Sequence, residues 1–480
     1  MRHHNLLVIL CLILVSPLSA GGPTQKAVRA EAPPVVDGRL DETIWRESEP
    51  FSGFLQVFPT SGAAPSERTE LRVAFDGSFL YLAVRCDDSD PARISANSMA
   101  HDVSDFFRGA SDDVVKVILD PFQDMRNAYL FTINARGGRS EGLASGERAS
   151  LNWDGIWEAK ARIDERGWSC EMAIPFKTLS FKPGLSTWGI NVERYIPRKQ
   201  ETIRLAGIRQ DAFFTNPAEA APLEGILDIA QGLGLTIRPY GAFVGYRDHA
   251  GAETTDWSLD GGIDLFKNFT PNFVGAVSVN TDFAETEVDD RRINLTRFDM
   301  FFPEKRAFFL QGSEYFSFGS PSGFRDIGFL PFFSRTIGIC EEEVIPVALG
   351  AKVYGKLGGT NIAFLDVLTR DVEGIPGRNF LAARISQNVL AESKIGLIFT
   401  QGCPDGTSNS LAGLDWTFQT SQFLGDRNFV LAGWAVYNWN ELSEGKKYGY
   451  GFKVDYPNDL LDMAATYSYY GDALSPGLGY

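Results

Sequence analysis

The sequence predicts an all-β protein: an N-terminal antiparallel β-sandwich followed by an antiparallel transmembrane-type β-barrel, whose closure the sequence leaves open. Three observations predict this. Short apolar runs separated by Gly, Asp, Pro and Asn clusters fill the first half. From about residue 345 onward, every second residue is apolar or aromatic. Helix-like patterns are confined to short pieces around 41–48 and 177–179.

The N-terminus has the pattern of a secretory signal. Arg2, His3 and His4 precede an apolar stretch over residues 6–15, and Leu18-Ser19-Ala20 follows as a small-residue cleavage site. The apolar stretch is too short for a helix that spans a bilayer. We therefore predict a signal peptide over residues 1–20 and export from the cytoplasm.

Composition excludes several classes of function. The formal net charge of -16 argues against a nucleic-acid partner, because phosphate binding needs clustered Lys and Arg. Four cysteines follow the signal without close spacing, which excludes a metal knuckle and a CxxC redox pair. A Cys86–Cys170 disulfide and two buried free thiols both remain open. A length of 480 residues favours two domains.

Residues 29–230 form the predicted sandwich. The region contains many short strand-like runs and few helical periods, which is typical of that architecture. Its Ala- and Pro-rich end, residues 216–232, is predicted to be a linker. The runs are LRVAFDG, FLYLAVRCDD, DDVVKVILDP, AYLFTINARGG, WEAKARID, WSCEMAIPF and WGINVERYIP.

Residues 231–480 form the predicted barrel. In YGYGFKVDYP, Tyr448, Tyr450 and Phe452 share one face while Gly449 and Lys453 lie on the other. Aromatic-rich segments of about ten residues with this alternation are typical of transmembrane barrels, although soluble antiparallel sheets alternate in the same way. We count roughly ten to twelve strands, whereas closed barrels favour an even number. The alternation stops at residues 475–477, so an incomplete barrel is a second reading.

Particular blocks of sequence resemble known families. DGRLDETIW, LRVAFDGSFLYLAVRCDD, SDDVVKVILDP, NAYLFTINARGG and GWSCEMAIPFKTLSF lie in the first region, which resembles the carbohydrate-binding module family 9 (DOMON-like) domains. VNTDFAETEVDDRRINLTRFDMFFPEKRAFFLQGSEYFSFG and FFSRTIG resemble the uncharacterised barrel-type domain that often follows that module in secreted bacterial proteins. The resemblance implies sugar binding by aromatic side chains and allows structural calcium. It also implies further strands beyond the point where this chain stops.

The best candidate for a sugar site surrounds Trp153. A sugar offers a flat C–H face bordered by hydroxyls, so its site needs an exposed aromatic ring beside polar groups. Trp153 lies between Asn152 and Asp154, and Asn134 and Arg136 end the preceding strand-like run. A core position for Trp153 is the alternative, and a core position is favoured for the neighbouring Trp157.

Acidic residues cluster at the ends of two predicted strands. Carboxylates there could bind calcium, which takes several oxygen ligands, but strand-end aspartates more often cap turns. The metal ligands therefore stay unknown. The residues concerned are Asp87, Asp88, Asp90, Asp112, Asp113, Asp120 and Asp124.

Catalysis has weaker support in the sequence than binding. Glycoside hydrolysis needs two facing carboxylates, and the 61 acidic residues single out no pair. There is no GxSxG, HExxH or nucleotide-binding fingerprint. Arg306 and Arg335 are predicted to pair with acids inside the barrel. The acids considered for catalysis are Glu158, Glu171, Asp299, Glu304 and Glu314.

These observations together predict a carbohydrate-binding protein of the bacterial outer membrane. Its partners would be a polysaccharide or glycoconjugate, which it binds and could import or display, and membrane lipid. The sandwich would lie in the periplasm or on the cell surface. Two alternatives remain: a secreted glycoside hydrolase of carbohydrate catabolism, and a structural envelope protein without sugar binding.

Overall fold

The computed structural model of the chain confirms the all-β fold class. The predicted signal peptide, Asn152 and Asp299 lie outside the residues that the structure describes. Those residues are 22–99, 101, 111–145, 148–151, 153–230, 232–247, 255–280, 304, 306–319, 329–340, 343–371, 376–425, 427–441, 444–458 and 461–480.

In the described residues of the N-terminal region there are fourteen strands and one short helix, α1 (Thr43–Glu47). The strands are β1 (Gln25–Lys26), β2 (Val28–Arg29), β3 (Leu55–Phe58), β4 (Thr69–Phe75), β5 (Phe79–Asp87), β6 (Val114–Asp120), β7 (Ala128–Asn134), β8 (Arg139–Ser145), β9 (Arg148–Ser150), β10 (Glu158–Asp164), β11 (Gly167–Pro175), β12 (Thr187–Ile196), β13 (Glu201–Arg204) and β14 (Ala221–Glu224). The 3₁₀ turns are Pro91–Arg93, Phe176–Thr178, Pro197–Lys199 and Pro217–Glu219.

These strands make two sheets that pack face to face. One sheet has the order β1-β14-β12-β6-β7-β8-β9, with β13 and β3 added beside β12, and the other has the order β10-β11-β5-β4-β2. Val117 and Phe131 of the first sheet share one fully buried core with Leu82 and Trp168 of the second. Burying a large apolar side chain contributes about 1.5–3 kcal/mol, so this core is the main source of stability for the sandwich.

The predicted limits of the sandwich need two corrections. Its strands begin at Gln25, before the predicted start at 29. Part of the predicted linker is also wrong, because Ala221–Glu224 forms β14 between β1 and β12. Ala221 and Leu223 are fully buried there. A strand of four residues is too short to show a pattern against an Ala- and Pro-rich background.

Eleven strands of residues 235–470 form one large antiparallel sheet in the described part of the chain, within the predicted range of ten to twelve. A two-stranded ribbon of β18 (Ile339–Cys340) and β19 (Glu343–Val344) and a short helix, α2 (Ala307–Leu310), lie outside it. The strands of the large sheet are β15 (Leu235–Arg247), β16 (Thr255–Thr270), β17 (Phe273–Val279), β20 (Val347–Leu357), β21 (Thr360–Thr369), β22 (Asn379–Val389), β23 (Ser393–Gln401), β24 (Asn409–Phe423), β25 (Arg427–Asn440), β26 (Tyr448–Pro457) and β27 (Asp462–Tyr470).

Each strand of the large sheet pairs with the next in chain order, from β15 at one edge to β27 at the other. Within the described residues no pairing joins these two edges, so closure of a barrel stays a prediction. None of the described helices is long and apolar enough to cross a membrane.

The two faces of the large sheet are inverted relative to those of a soluble protein. On β26, Tyr450 and Phe452 are exposed, whereas Gly451 and Asp455 are buried. On β23, Leu397 is 59% exposed. The predicted alternation is therefore confirmed, and the face that the protein buries carries charged side chains such as Arg384 and Asp415 beside apolar ones such as Leu365.

Two parts of the chain cover the buried face of the large sheet. One is the inner segment, defined as residues 304, 306–319 and 329–337, and the other is the C-terminal residues 471–480. Phe308 and Leu478 are buried against strands of the sheet. Phe333 N donates to Leu478 O at 2.6 Å, and Tyr480 N donates to Leu330 O at 2.8 Å. The C-terminal residues thus pair with the inner segment instead of extending the sheet.

Charged groups connect the inner segment to the sheet. Arg384 on β22 forms an ion pair with Asp415 on β24, with 2.6 Å between Nη1 and Oδ1. Gly319 N donates to Asp415 Oδ2 at 3.1 Å, and Arg384 Nε donates to Ser317 O at 3.1 Å. Lys352 donates to the carbonyl oxygens of two residues of the segment, one of them Phe308. The buried charges of the large sheet are therefore paired with each other or with the inner segment at these points.

Candidate ligand site between the sandwich and the large sheet

The β6–β7 turn of the sandwich lies against one end of the large sheet. Asp120 holds this turn, because its carboxylate accepts hydrogen bonds from Phe122 N at 3.0 Å and Met125 N at 2.9 Å. Burial raises the pKa of Asp120 to about 6 against these donors. Asp and Pro in the sequence LDPFQDM favour a turn of this kind, as predicted from the sequence.

Two side chains of the turn hold the sandwich on the sheet. Asp124 forms an ion pair with Lys356 of β20. Arg126 Nη2 donates to Leu390 O and to Ser393 O, both at 3.1 Å. Charge-assisted bonds to backbone carbonyls fix the orientation of the two regions more firmly than neutral bonds do.

A cavity of about 450 Å³ lies between the turn and the buried face of the sheet. Its volume is in the range typical of small-molecule sites. Aromatic side chains from both regions line it: Phe122, Tyr129, Phe213, Tyr315 and Phe318.

Three buried polar atoms of the lining have no hydrogen-bond partner among the described residues. They are Nε of Arg126, Oε2 of Glu314 and Oγ1 of Thr417. Buried polar groups in proteins are nearly always paired, and an unpaired one costs about 1–3 kcal/mol. A donor, an acceptor and a hydroxyl left over in one cavity are therefore groups that a hydroxyl-rich ligand would satisfy.

The charges of the lining are of both signs. Asp211 and Glu392 accompany Lys394 and Lys356 around the cavity. Amides add neutral hydrogen-bonding groups, and Asn361 Nδ2 donates to Ser386 Oγ at 3.2 Å within the lining. A mixture of this kind fits a neutral polar ligand better than an ion of one sign.

The structure does not place the predicted sugar-site residues on an exposed platform. Trp153 is only 9% exposed and belongs to the sandwich core. Its ring lies 4.9 Å from that of Tyr129 and 6.1 Å from that of Phe131, measured between centroids. The alternative of a core position is therefore the one observed, because the aromatic rings of β7 cover the indole. Tyr129, directly against it, is the residue that faces the cavity.

The polar residues of the predicted sugar site differ in their exposure to solvent. Asn134 is fully buried, where its amide donates to Asp112 Oδ2 at 2.9 Å and accepts from Gly138 N at 2.8 Å. It holds the β7–β8 turn and has no free group for a sugar. Arg136 and Asp154 are exposed.

Trp157, the tryptophan that neighbours Trp153 in the sequence, is a core residue as predicted. Only 4% of it is exposed, and its Nε1 donates to the buried carboxylate of Glu141 at 2.9 Å. His101 Nε2 lies 2.9 Å from the same carboxylate. Glu141 is thus a buried acid that other side chains of the sandwich satisfy.

Two of the acids considered for catalysis, Glu171 and Glu304, are held by other groups. Glu171 accepts from Gly38 N at 2.8 Å and from Trp45 Nε1 at 2.7 Å, and burial raises its pKa to about 7. Glu304 pairs with Arg306 at 2.7 Å in the interior, which confirms the predicted ion pair for that arginine. These contacts give Glu171 and Glu304 structural roles.

Several of the aspartates considered for calcium are held by groups of the protein. In the described part of the chain, no group of three or more His, Cys, Asp or Glu is arranged to hold a metal ion. Asp113 accepts from Ser95 N at 2.9 Å, Asp112 accepts from Asn97 N at 2.9 Å, and Asp88 pairs with Arg198. Each of these three carboxylates thus accepts from a backbone amide or pairs with an arginine through one of its oxygens, as expected for turn caps. Cys86 and Cys170 are buried free thiols.

Comparison with known families matches residues 232–348 to a domain of unknown function (DUF5916). The matched residues include the two blocks of sequence that resemble the uncharacterised barrel-type domain. No curated protein matches the chain.

Two similar solved structures are of a carbohydrate-binding module family 9 from Caldicellulosiruptor kristjanssonii, the family that the N-terminal sequence resembles. The complex with glucose has 18% sequence identity and a TM-score of 0.33, and covers 43% of this chain and 98% of that one. The complex with cellotriose has 18% identity and a TM-score of 0.31, and covers 43% of this chain and 96% of that one.

Proposed function

We propose that the protein is an outer-membrane protein that binds a carbohydrate in the cavity between its sandwich and its large sheet. The observation that carries the binding role is the set of unpaired buried polar atoms beside aromatic rings in that cavity. The N-terminal sequence, which resembles a carbohydrate-binding module, supports the same ligand class.

Sugar chemistry matches the lining of the cavity. Tyr129 and Phe122 offer flat apolar surfaces to the C–H faces of a sugar ring. Arg126 and Thr417 offer donors, and Glu314 offers an acceptor, to its hydroxyls. Because the ligand would replace no existing protein hydrogen bond at these three atoms, each new bond adds to affinity.

The inverted faces of the large sheet support the membrane location. A sheet that buries Lys352, Arg384 and Asp415 while it exposes Leu397 and Phe452 is unfavourable in water. In a bilayer the same arrangement is favourable, because the outer band of a transmembrane sheet is apolar and its interior is polar. The export signal predicted from the sequence agrees with this location.

A structural envelope role without sugar binding is the second candidate. The burial of Trp153 favours it, because the aromatic platform predicted from the sequence is part of the core. The binding experiment below separates the two candidates.

Thr417→Val tests the binding role. The substitution removes the unpaired hydroxyl from the cavity and nearly keeps the side-chain shape. We expect it to weaken saccharide binding by roughly threefold to tenfold, the effect of one lost hydrogen bond, with no loss of stability. Calorimetric titration of the full chain in detergent with a panel of neutral saccharides measures this effect.

Thr132→Val is the matched control. Thr132 is fully buried on β7 and its Oγ1 also has no partner among the described residues, but it does not line the cavity. We expect this variant to bind as the unaltered protein does. If no saccharide binds the unaltered protein, the structural role replaces the binding role.

Membrane insertion is tested separately by fractionation of cells that express the full chain. We expect the protein in the outer-membrane fraction, with gel migration that changes on heating because the folded sheet resists detergent. Recovery in the soluble periplasmic fraction would contradict the membrane location and leave the binding result untouched.

A further inference from the structure

The connections at the two ends of the large sheet differ in length. Turns of two or three residues (271–272, 358–359 and 390–392) join β16 to β17, β20 to β21 and β22 to β23. Loops of seven to nine residues (370–378, 402–408 and 441–447) join β21 to β22, β23 to β24 and β25 to β26 at the other end. Short turns on the periplasmic side and longer loops on the outer side are typical of outer-membrane barrels.

The sandwich is attached to the end with the short turns. Arg126 binds carbonyl oxygens of the 389–393 turn, and Asp124 pairs with Lys356, which closely precedes the 358–359 turn. Phe181 N donates to Pro271 O of the 271–272 turn at 3.3 Å. Two turns and the end of β20 beside a third turn therefore contact the same domain.

The chain also enters the sheet at this end. Leu235, the first residue of β15, is paired with Lys267 near the end of β16, and Asn268 N donates to Gly234 O at 2.7 Å. The sandwich precedes β15 in the chain, so it joins the sheet without a crossing of the membrane. If the sandwich lay outside the cell, β15 would have to begin at the end of the sheet that carries the long loops.

From these contacts we infer that the sandwich lies on the periplasmic side of the outer membrane and that the long loops face the cell exterior. The inference rests on the proposed membrane location and assigns the side that the sequence leaves open. Its consequence concerns the ligand. Tyr315 and Phe318 of the inner segment bound the cavity on the side of the sheet interior, so a saccharide reaches the cavity from the periplasm.

Site-specific labelling tests the orientation. Glu165→Cys places a thiol on the exposed β10–β11 turn of the sandwich, and Thr407→Cys places one in the exposed loop 402–408. Both substitutions are made in the full chain with Cys340→Ser and Cys403→Ser, since Cys86 and Cys170 are buried. Intact cells and cells with a permeabilised outer membrane are treated with a membrane-impermeant maleimide.

We expect the thiol at position 407 to be labelled on intact cells and the thiol at position 165 only after permeabilisation, with at least a tenfold difference. Labelling of position 165 on intact cells would overturn the orientation, as would protection of position 407 there. Fractionation of the same cells tests the proposed membrane location separately from the orientation. A protein absent from the membrane fraction would contradict the proposed location itself and the orientation with it.

Discussion

The sandwich is mainly antiparallel and the large sheet wholly so, yet they bury different kinds of side chain. In the sandwich, Val117 and Leu82 meet between two sheets and exclude water. In the large sheet, Arg384 and Asp415 are buried while Leu397 is exposed. Alternation therefore specifies a strand but does not by itself specify which of its two faces is buried.

The largest expected effect is at the buried ion pair of the large sheet. Arg384→Met leaves the carboxylate of Asp415 buried without its cation, and breaking such a pair costs about 3–5 kcal/mol. Urea unfolding of the protein in lipid vesicles, followed by tryptophan fluorescence, measures the loss. The double variant Arg384→Met, Asp415→Leu should recover part of it. A single variant as stable as the unaltered protein would contradict a polar interior held by this pair.

The second effect concerns the exposed face of the large sheet. Leu397→Arg should destabilise the protein in vesicles by about 2–4 kcal/mol, because a charge near the middle of a bilayer is unfavourable. Ile163→Arg is the control, since Ile163 is 37% exposed on β10 of the sandwich and should change stability by about 0.5 kcal/mol or less. Equal, small effects at both positions would place both surfaces in water.

The third effect is smaller and concerns a charge inside the sandwich. Burial raises the pKa of Asp113 to about 6, and its Oδ1 is unpaired among the described residues. Because the folded state binds this proton more tightly than the unfolded state, the contribution of Asp113 to stability is full below pH 3.8 and is lost as the pH rises through about 6. Asp113→Asn should remove that loss and stabilise the protein at pH 7.5 by on the order of 2 kcal/mol.

The neighbouring Asp112 provides the control for this pH dependence. Hydrogen bonds from Asn97 and Asn134 lower its pKa despite the opposing effect of burial. Asp112→Asn should therefore destabilise the protein at neutral pH, the opposite sign from Asp113→Asn. Thermal unfolding of both variants between pH 4 and pH 8 measures the direction in which each substitution changes stability. A change in the same direction for both would contradict the assigned environments.

Local patterns predicted much of the fold. The strand runs of both regions, the short helical pieces near 41–48 and 177–179, and the turns at Asp- and Gly-rich clusters are all observed. The strand β14 was missed because four residues carry too little pattern. The sequence predicted that Arg306 pairs with an acid, but it did not identify that acid. The partner is Glu304, two residues before it.

The candidate site was far less predictable. Trp153 attracted attention because polar residues flank it in sequence, but the rings of β7 cover it. Tyr129, Arg126 and Thr417 carry no motif, and no feature of the sequence links residues so far apart. Only the contact between the β6–β7 turn and the short-turn end of the large sheet brings them to one cavity.

The sequence by itself determined the all-β class, the alternating faces and the approximate number of strands, because a strand repeats every two residues and the repeat is local. The tertiary contacts determine that the large sheet buries the face with Arg384 and Asp415, that an inner segment covers this face, and that a cavity lies beside the sandwich. These properties depend on contacts such as Arg384 with Asp415 and Arg126 with Leu390, between residues that the chain keeps far apart.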